Sequence, residues 1–189
     1  MKRLNLSDQD AVRLCAGQLS DSVLAETALR RSGPLAVESL IAVLVKKDLP
    51  TRLKAARLLG EIGEPAAAAL PALTTALRCP DPDFRLAVAK AIWNVGKAAD
   101  PVVPVLIDLL EDKAIAQLGD ADSRRRFVQT VIEALWRIGP PAHAARPALE
   151  QKAKDKNRLI SESAQGALSR ITGNISMGAV RSSGSRAGA

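Results

Sequence analysis

Aromatic and sulfur-containing side chains are scarce in this chain of 189 residues, which has no Tyr, two Phe, two Trp, two Cys and one His. Cys15 and Cys79 lie far apart without ligand spacing, which argues against disulfide stapling or a metal site; we expect both to behave as small buried hydrophobes. No run of about 18 apolar residues occurs, and no apolar stretch follows Lys2 and Arg3. We therefore expect neither a membrane span nor a secretory signal, and a cytoplasmic protein.

Catalytic and phosphate-binding motifs are also missing. Neither glycine-rich phosphate-loop pattern is present. His143 has no Ser or Cys nucleophile at a recognisable spacing, and catalytic groups act in sets. Asp108 and Asp112 lie one helical turn apart, but a third metal ligand is not evident. These absences predict a non-enzymatic protein without cofactor or metal.

The basic residues are unevenly distributed, although the net charge is +7 and the isoelectric point is about 9.8. Residues 61–112 hold 4 basic and 8 acidic side chains, whereas residues 113–189 hold 13 basic and 6 acidic ones. An acidic middle is atypical of a uniform nucleic-acid binder. Most of these charges are therefore interpreted as solvated helix faces.

An internal repeat organises the sequence, and Ala and Leu, which favour helices, dominate its composition. An apolar helical segment ends repeatedly at glycine, and successive copies are 30, 33 and 43 residues apart: Gly33, Gly63, Gly96 and Gly139. A further copy ends at Ile171-Thr172-Gly173. Eight residues after each of the three central glycines stands a proline, and two residues later a leucine. Each unit is therefore expected to repeat the same local structure.

Each unit is predicted to contain two helices. In the second unit, one helix is expected over Thr51–Ile62, because its apolar residues form a stripe, and Gly63 should end it. Pro65 restarts the chain, and the second helix continues to about Arg78 with a kink near Pro71. Asp81 before Pro82 is an N-cap signal for the next unit.

These units predict an all-α solenoid of about five two-helix repeats, since one helix pair cannot bury its own apolar stripe. The expected organisation is a capping segment at 1–20 with a helix near 7–19, units at about 21–47, 48–80, 81–112, 122–154 and 155–172, a loop insertion at about 113–121, and a disordered tail at 173–189.

Over about residues 21–172 the sequence resembles HEAT repeats, which are armadillo-like helical repeats. Asp at the junctions, Ile-Gly or Val-Gly endings and the following Pro carry the resemblance, and the nearest subtype is the HEAT-like, phycobilisome-lyase type. It implies a right-handed superhelix with first helices on the convex side and second helices lining the concave side.

We therefore predict a monomeric, non-catalytic interaction scaffold that binds a partner protein or peptide on its concave face. The candidate contacts are polar residues of the second helices and two tryptophans at equivalent positions, three residues before their glycines: Thr74, Thr75, Arg78, Asp108, Glu111, Arg146, Gln151, Lys154, Trp93 and Trp136. Whether the tryptophans pack between helices or anchor a partner stays open. For Phe84 and Phe127, which also match each other, packing is expected.

Two alternative functions remain. A basic patch near the C-terminal end could grip nucleic-acid phosphates, and its candidate residues are Arg124, Arg125, Arg126, Lys152, Lys156 and Arg158. The second alternative, a phycobilin lyase-like or chaperone role, is implied only by the subtype that the sequence resembles.

Overall fold

The computed structural model describes residues 8–19, 22–45, 48–111 and 119–173. Helices and turns make up this part of the chain, and it contains no strand. The protein is thus an all-α solenoid. Within the same ranges, no helix is long and apolar enough to cross a membrane. The predicted tail beyond Gly173 and most of the predicted insertion lie outside the described residues.

The helices follow one another as pairs of a first and a second helix. A leading helix, α1, spans Asp8–Gly17. The pairs are α2 (Val23–Ser32) with α3 (Val37–Leu44), α4 (Leu49–Ile62) with α5 (Leu70–Ala76), α6 (Pro82–Gly96) with α7 (Val103–Glu111), and α8 (Ala121–Ile138) with α9 (Arg146–Lys152), and α10 (Arg158–Thr172) ends the series. The buried core of Leu, Ala, Val and Ile runs through all of them.

The second helix of the second unit is not one helix with a kink, as predicted, but two pieces. A 3-10 segment spans Glu64–Ala69, and the α-helical part begins only at Leu70. Pro71 stands in the first turn of α5, because its missing N–H and its ring are tolerated there but not inside a helix. The fourth unit repeats this arrangement, with Pro147 in the first turn of α9 after the 3-10 segment Pro140–Ala145.

Polar side chains cap the first helices: the Ser22 hydroxyl caps α2, and acidic or amide side chains cap the four that follow. Asp81 accepts a hydrogen bond from the backbone N–H of Phe84 at 2.8 Å, as the sequence predicts. Asp48 caps α4 in the same way. Asp120 caps α8, and Asn157 caps α10. Each cap satisfies a backbone N–H that has no partner inside its helix, which fixes where the helix begins.

The repeated glycines serve two different purposes. Gly63 and Gly139 follow α4 and α8 with φ of 73° and 72°, a conformation that a side chain disfavours. Gly96 instead ends α6 within the helix, and Lys97 takes the left-handed conformation at φ 50°. A Cβ at Gly96 would lie 2.9 Å from Cδ1 of Leu70, so this glycine permits a close approach of α5 and α6.

First helices pack at different distances along the stack. α4 lies tightly along α6, because a Cβ on the buried Gly60 would come within 3.0 Å of the Ala91 Cα. The position equivalent to Gly60 in α6 is Trp93, three residues before Gly96. Trp93 and Ala134 of α8 border one narrow cleft. The indole thus borders the cleft between α6 and α8, whereas the equivalent Gly60 lies against the backbone of α6.

Candidate functional site

A groove of about 690 Å³ runs across the exposed side of three successive first helices. Residues of α4, α6 and α8 line it, and we call it the first-helix groove: Ala56, Arg57, Gly60 and Glu61 from α4; Asp83, Leu86, Ala87, Lys90, Ala91 and Asn94 from α6; Ser123, Arg126, Phe127, Thr130 and Arg137 from α8. Buried apolar side chains form its floor, and polar ones form its rim. A groove that combines an apolar floor with a polar rim can hold a segment of another molecule.

Two of the charged rim residues are already engaged within the chain. Glu61 accepts from the Arg30 guanidinium of α2, with Nε 2.6 Å from its Oε2. Arg137 donates to Glu133 one turn away, at 2.8 Å. These exposed pairs contribute little to stability, but each lowers the charge that its residue offers to a ligand.

Lys90 and Arg126 are groove cations without a carboxylate partner among the described residues, whereas Arg57 is attracted electrostatically to Asp83. Lys90 makes no ion pair or hydrogen bond with any residue in the described part of the chain. Arg126 donates only to Ser123 Oγ at 3.1 Å, a neutral acceptor. Since α6 carries Lys90 and α8 carries Arg126, the two cations stand on different helices that line the groove.

Asp83 adds a carboxylate with a raised pKa to the lining of the groove. Partial burial raises the pKa of Asp83 above its ordinary value of 3.8; the nearby Asp81 raises it further, and Arg57 opposes the shift. Arg57 lines the same part of the groove. The groove therefore combines the carboxylates of Glu61 and Asp83 with four cationic side chains among the described residues.

The predicted contacts of the second helices lie outside this groove. Thr74 and Thr75 are exposed on α5, but their hydroxyls donate to carbonyl oxygens one turn earlier, at 2.8 and 3.0 Å. Asp108 accepts from Arg85 at 3.3 Å, and Arg146 pairs with Glu150 at 2.7 Å. The other four, Arg78, Glu111, Gln151 and Lys154, are exposed. The structure brings none of the eight into the first-helix groove, and their role stays a prediction.

The predicted basic patch is divided by local pairing. Arg125 pairs with Asp122 at 3.0 Å, and Arg124 donates to the carbonyl of Gly119. Arg158 pairs with Glu162 at 2.6 Å, a contact that raises its pKa above the ordinary value. Lys152 is half-buried and Lys156 exposed. Of the six predicted anion-binding residues, Arg126 alone lines the groove.

The two tryptophans differ in environment, which answers the question that the sequence left open. Trp93 is partly buried and packs against the core. Trp136 is 43% exposed, and the guanidinium of Arg170 lies 4.3 Å from its ring centroid. Phe84 and Phe127 are buried, as expected. Trp93 therefore has a packing role, while Trp136 presents part of its ring to solvent.

No catalytic or metal-binding set is assembled by the described ranges. His143 is exposed on the 3-10 segment before α9. Over residues 8–19, 22–45, 48–111 and 119–173, no group of three or more His, Cys, Asp or Glu could hold a metal ion. Cys15 and Cys79 are free thiols of intermediate exposure, rather than buried as predicted, because each lies at the edge of the core. The groove is accordingly suited to binding by shape and charge.

The sequence interpretation missed most of the groove. The sequence signal for the groove was a second stripe on α6, opposite the core. It consists of Asp83, Ala87, Lys90 and Asn94, at spacings of four, three and four. Such spacing places all four on one helix face. Polar stripes are also the ordinary solvent face of a helix, so the pattern alone does not single out a site.

Comparisons with known proteins agree with the repeat. A family model described as HEAT repeats matches residues 37–121. A similar solved structure is the complex of CpcE and CpcF of phycocyanin lyase from Nostoc sp. PCC7120, with 27% identity, coverage of 92% of this chain and 68% of that chain, and a TM-score of 0.62.

An engineered protein is also similar, with 22% identity, coverage of 87% of this chain and 73% of that chain, and a TM-score of 0.51, and this likeness bears on the fold alone. No curated protein matches the sequence. Together the motifs, the helix pairs and these matches show an all-α solenoid fold, in which residues 37–121 match the HEAT-repeat model.

Proposed function

We propose that this chain is a non-catalytic protein-interaction scaffold that holds a segment of a partner protein in the first-helix groove. The observation that carries the proposal is the groove itself, which combines a buried apolar floor with a polar rim over three repeats. Solenoids bind partners on extended surfaces of this kind. Affinity would come from apolar side chains entering the floor, and orientation from the charged rim.

The similar solved structure supports a protein partner, because it is a complex of two proteins. The chain matches it over 92% of its own length, so the likeness extends across the helices that form the groove. Concave binding on the second-helix side, which the resemblance to HEAT repeats implies, is the alternative location for the same function.

The test is a capture experiment with matched variants of the full chain. Wild-type protein is immobilised and exposed to native cell lysate, with and without nuclease, and retained proteins are identified by mass spectrometry. The groove variant is Ala87→Arg, which places a long side chain on the floor. The control is Thr75→Arg, on the exposed side of α5.

A discrete protein that is retained after nuclease treatment, lost with Ala87→Arg and kept with Thr75→Arg is the expected result. Loss with Thr75→Arg alone would move the site to the second helices. Retention that disappears with nuclease would indicate nucleic acid and would overturn the proposal.

A second candidate function, a bilin lyase-like or chaperone role, is favoured by one observation, the 27% identity to a component of a phycocyanin lyase complex. Its test is incubation of the chain with a bilin and an acceptor protein, followed by absorption spectroscopy of the denatured acceptor. A coloured covalent adduct formed only with this chain would favour it over a non-catalytic scaffold.

A further inference from the structure

We infer that the first-helix groove recognises an acidic partner segment, in which carboxylates flank a bulky apolar side chain. The inference rests on the proposed function and adds the chemistry of the bound segment. The carboxylates would meet Lys90 and Arg126, and the apolar side chain would enter the floor between α6 and α8.

The charge of the groove is complementary to such a segment. Four cationic side chains line it, against the carboxylates of Glu61 and Asp83. Glu61 is already paired with Arg30, and Arg137 with Glu133. Lys90 and Arg126 have no carboxylate partner in the part of the chain that the structure describes. An incoming carboxylate therefore displaces no existing ion pair at these two positions.

The floor of the groove is apolar. Leu86 and Phe127, which line it, are nearly buried, and Ala87 is half-buried. The small side chain of Ala87 leaves space above the floor that an apolar side chain of the ligand would fill, removing its surface from water. Carboxylates alone would thus be insufficient for tight binding, because exposed ion pairs contribute little.

A protein segment fits this groove better than a nucleic acid does. Glu61 of α4 and Asp83 of α6 line the groove, and both would repel a continuous phosphate backbone. Phe127, the one aromatic side chain among the described residues that line the groove, is buried with 6% exposure and offers no face on which a base could stack. A peptide can place its carboxylates against Lys90 and Arg126 and place uncharged residues near Glu61 and Asp83.

The test is selection of a random peptide library, displayed on phage, against the full chain. The groove variant is Lys90→Glu with Arg126→Glu, and the matched control is Arg78→Glu with Lys154→Glu, which makes the same charge change on exposed second-helix positions. Circular dichroism checks folding, and Lys90→Gln with Arg126→Gln replaces the first variant if it does not fold. Selected peptides and a single-stranded DNA oligonucleotide are then compared by fluorescence anisotropy.

The expected result is a set of peptides rich in Asp or Glu around an apolar residue. Their binding should weaken by at least about tenfold with the groove variant and remain unchanged with the control. Peptides that depend on the groove but lack carboxylates would overturn this inference and leave the proposed function intact. Absence of any groove-dependent peptide, or displacement of the peptides by the oligonucleotide, would overturn both.

Discussion

At the scale of single residues, one repeated position of the first helices carries side chains of very different size. It is occupied by Gly60, Trp93 and Trp136 in successive units, three residues before each helix-terminal glycine. Gly60 admits the backbone of Ala91, whereas Trp93 borders the cleft between α6 and α8. The residue at this position thus changes from one that admits a neighbouring backbone to one that carries an indole.

Substitutions of two helical glycines test this packing. Gly60→Ala places a Cβ 3.0 Å from the Ala91 Cα, so the helices must move. Overpacking costs roughly 1–3 kcal/mol and outweighs the gain in helix propensity. Gly166→Ala in α10 meets nothing within 4 Å and should stabilise by about 0.5–1 kcal/mol. Urea unfolding followed by circular dichroism measures both; equal stabilisation by the two substitutions would contradict the close approach.

Tryptophan fluorescence tests the different environments of the two indoles. Trp93→Phe leaves Trp136, which is 43% exposed. Trp136→Phe leaves Trp93, which packs against the core. We expect the first variant to emit at longer wavelength and to be quenched more strongly by acrylamide, because its indole contacts water. Equal quenching of the two variants would contradict the assigned environments.

At the scale of elements, the start of a first helix combines capping with charge, and two carboxylates there respond oppositely to pH. A backbone hydrogen bond from Ser123, followed by the side-chain hydrogen bond of Ser123, lowers the pKa of Asp120 below 3.8. Burial and Asp81 raise the pKa of Asp83 in the first turn of α6. Folding therefore favours the charged form of Asp120 and the neutral form of Asp83.

Asparagine substitutions should separate the two cases, because each removes one ionisable group. Asp120 contributes stability above the unfolded pKa, which is lost as pH falls through the lower folded pKa. Asp120→Asn should therefore destabilise at pH 7, with a difference that disappears in strong acid. For Asp83 the effect on folding stability has the opposite sign. Asp83→Asn should therefore stabilise the protein at pH 7 and have no effect on stability below pH 3.8. The midpoints of urea unfolding, measured across pH, give the stability change of each variant. A stability change of the same sign for both variants at pH 7 would contradict the opposite pKa shifts.

The helix boundaries were largely predictable, because caps and breakers act locally. Asp81 and Gly63 fix the ends of their helices through contacts within a few residues. The 3-10 segment before Leu70 was missed, since the sequence does not show where the helix becomes α-helical ahead of Pro71. The first-helix groove was missed for a different reason: residues of α4, α6 and α8 line it together, and local sequence patterns do not show how helices of different units are placed.

At the scale of the whole molecule, the solenoid continues from helix pair to helix pair, but its surface is not uniform. The first helices carry a groove where α6 and α8 separate, and the second helices carry exposed polar residues in short helices. We propose that partner binding uses the first-helix groove and not the exposed side of the second helices. The two faces bear threonines of the same chemistry, Thr130 in the groove and Thr75 on α5, which permits a matched comparison.

The most direct measurement is site-specific photo-crosslinking in native lysate, with a benzophenone amino acid at position 130 in one variant and at position 75 in the other. Crosslinked products are digested and identified by mass spectrometry. A discrete protein adduct formed at position 130, and absent or much weaker at position 75, is the predicted result. An adduct formed only at position 75 would contradict the account, and so would a nuclease-sensitive adduct at position 130.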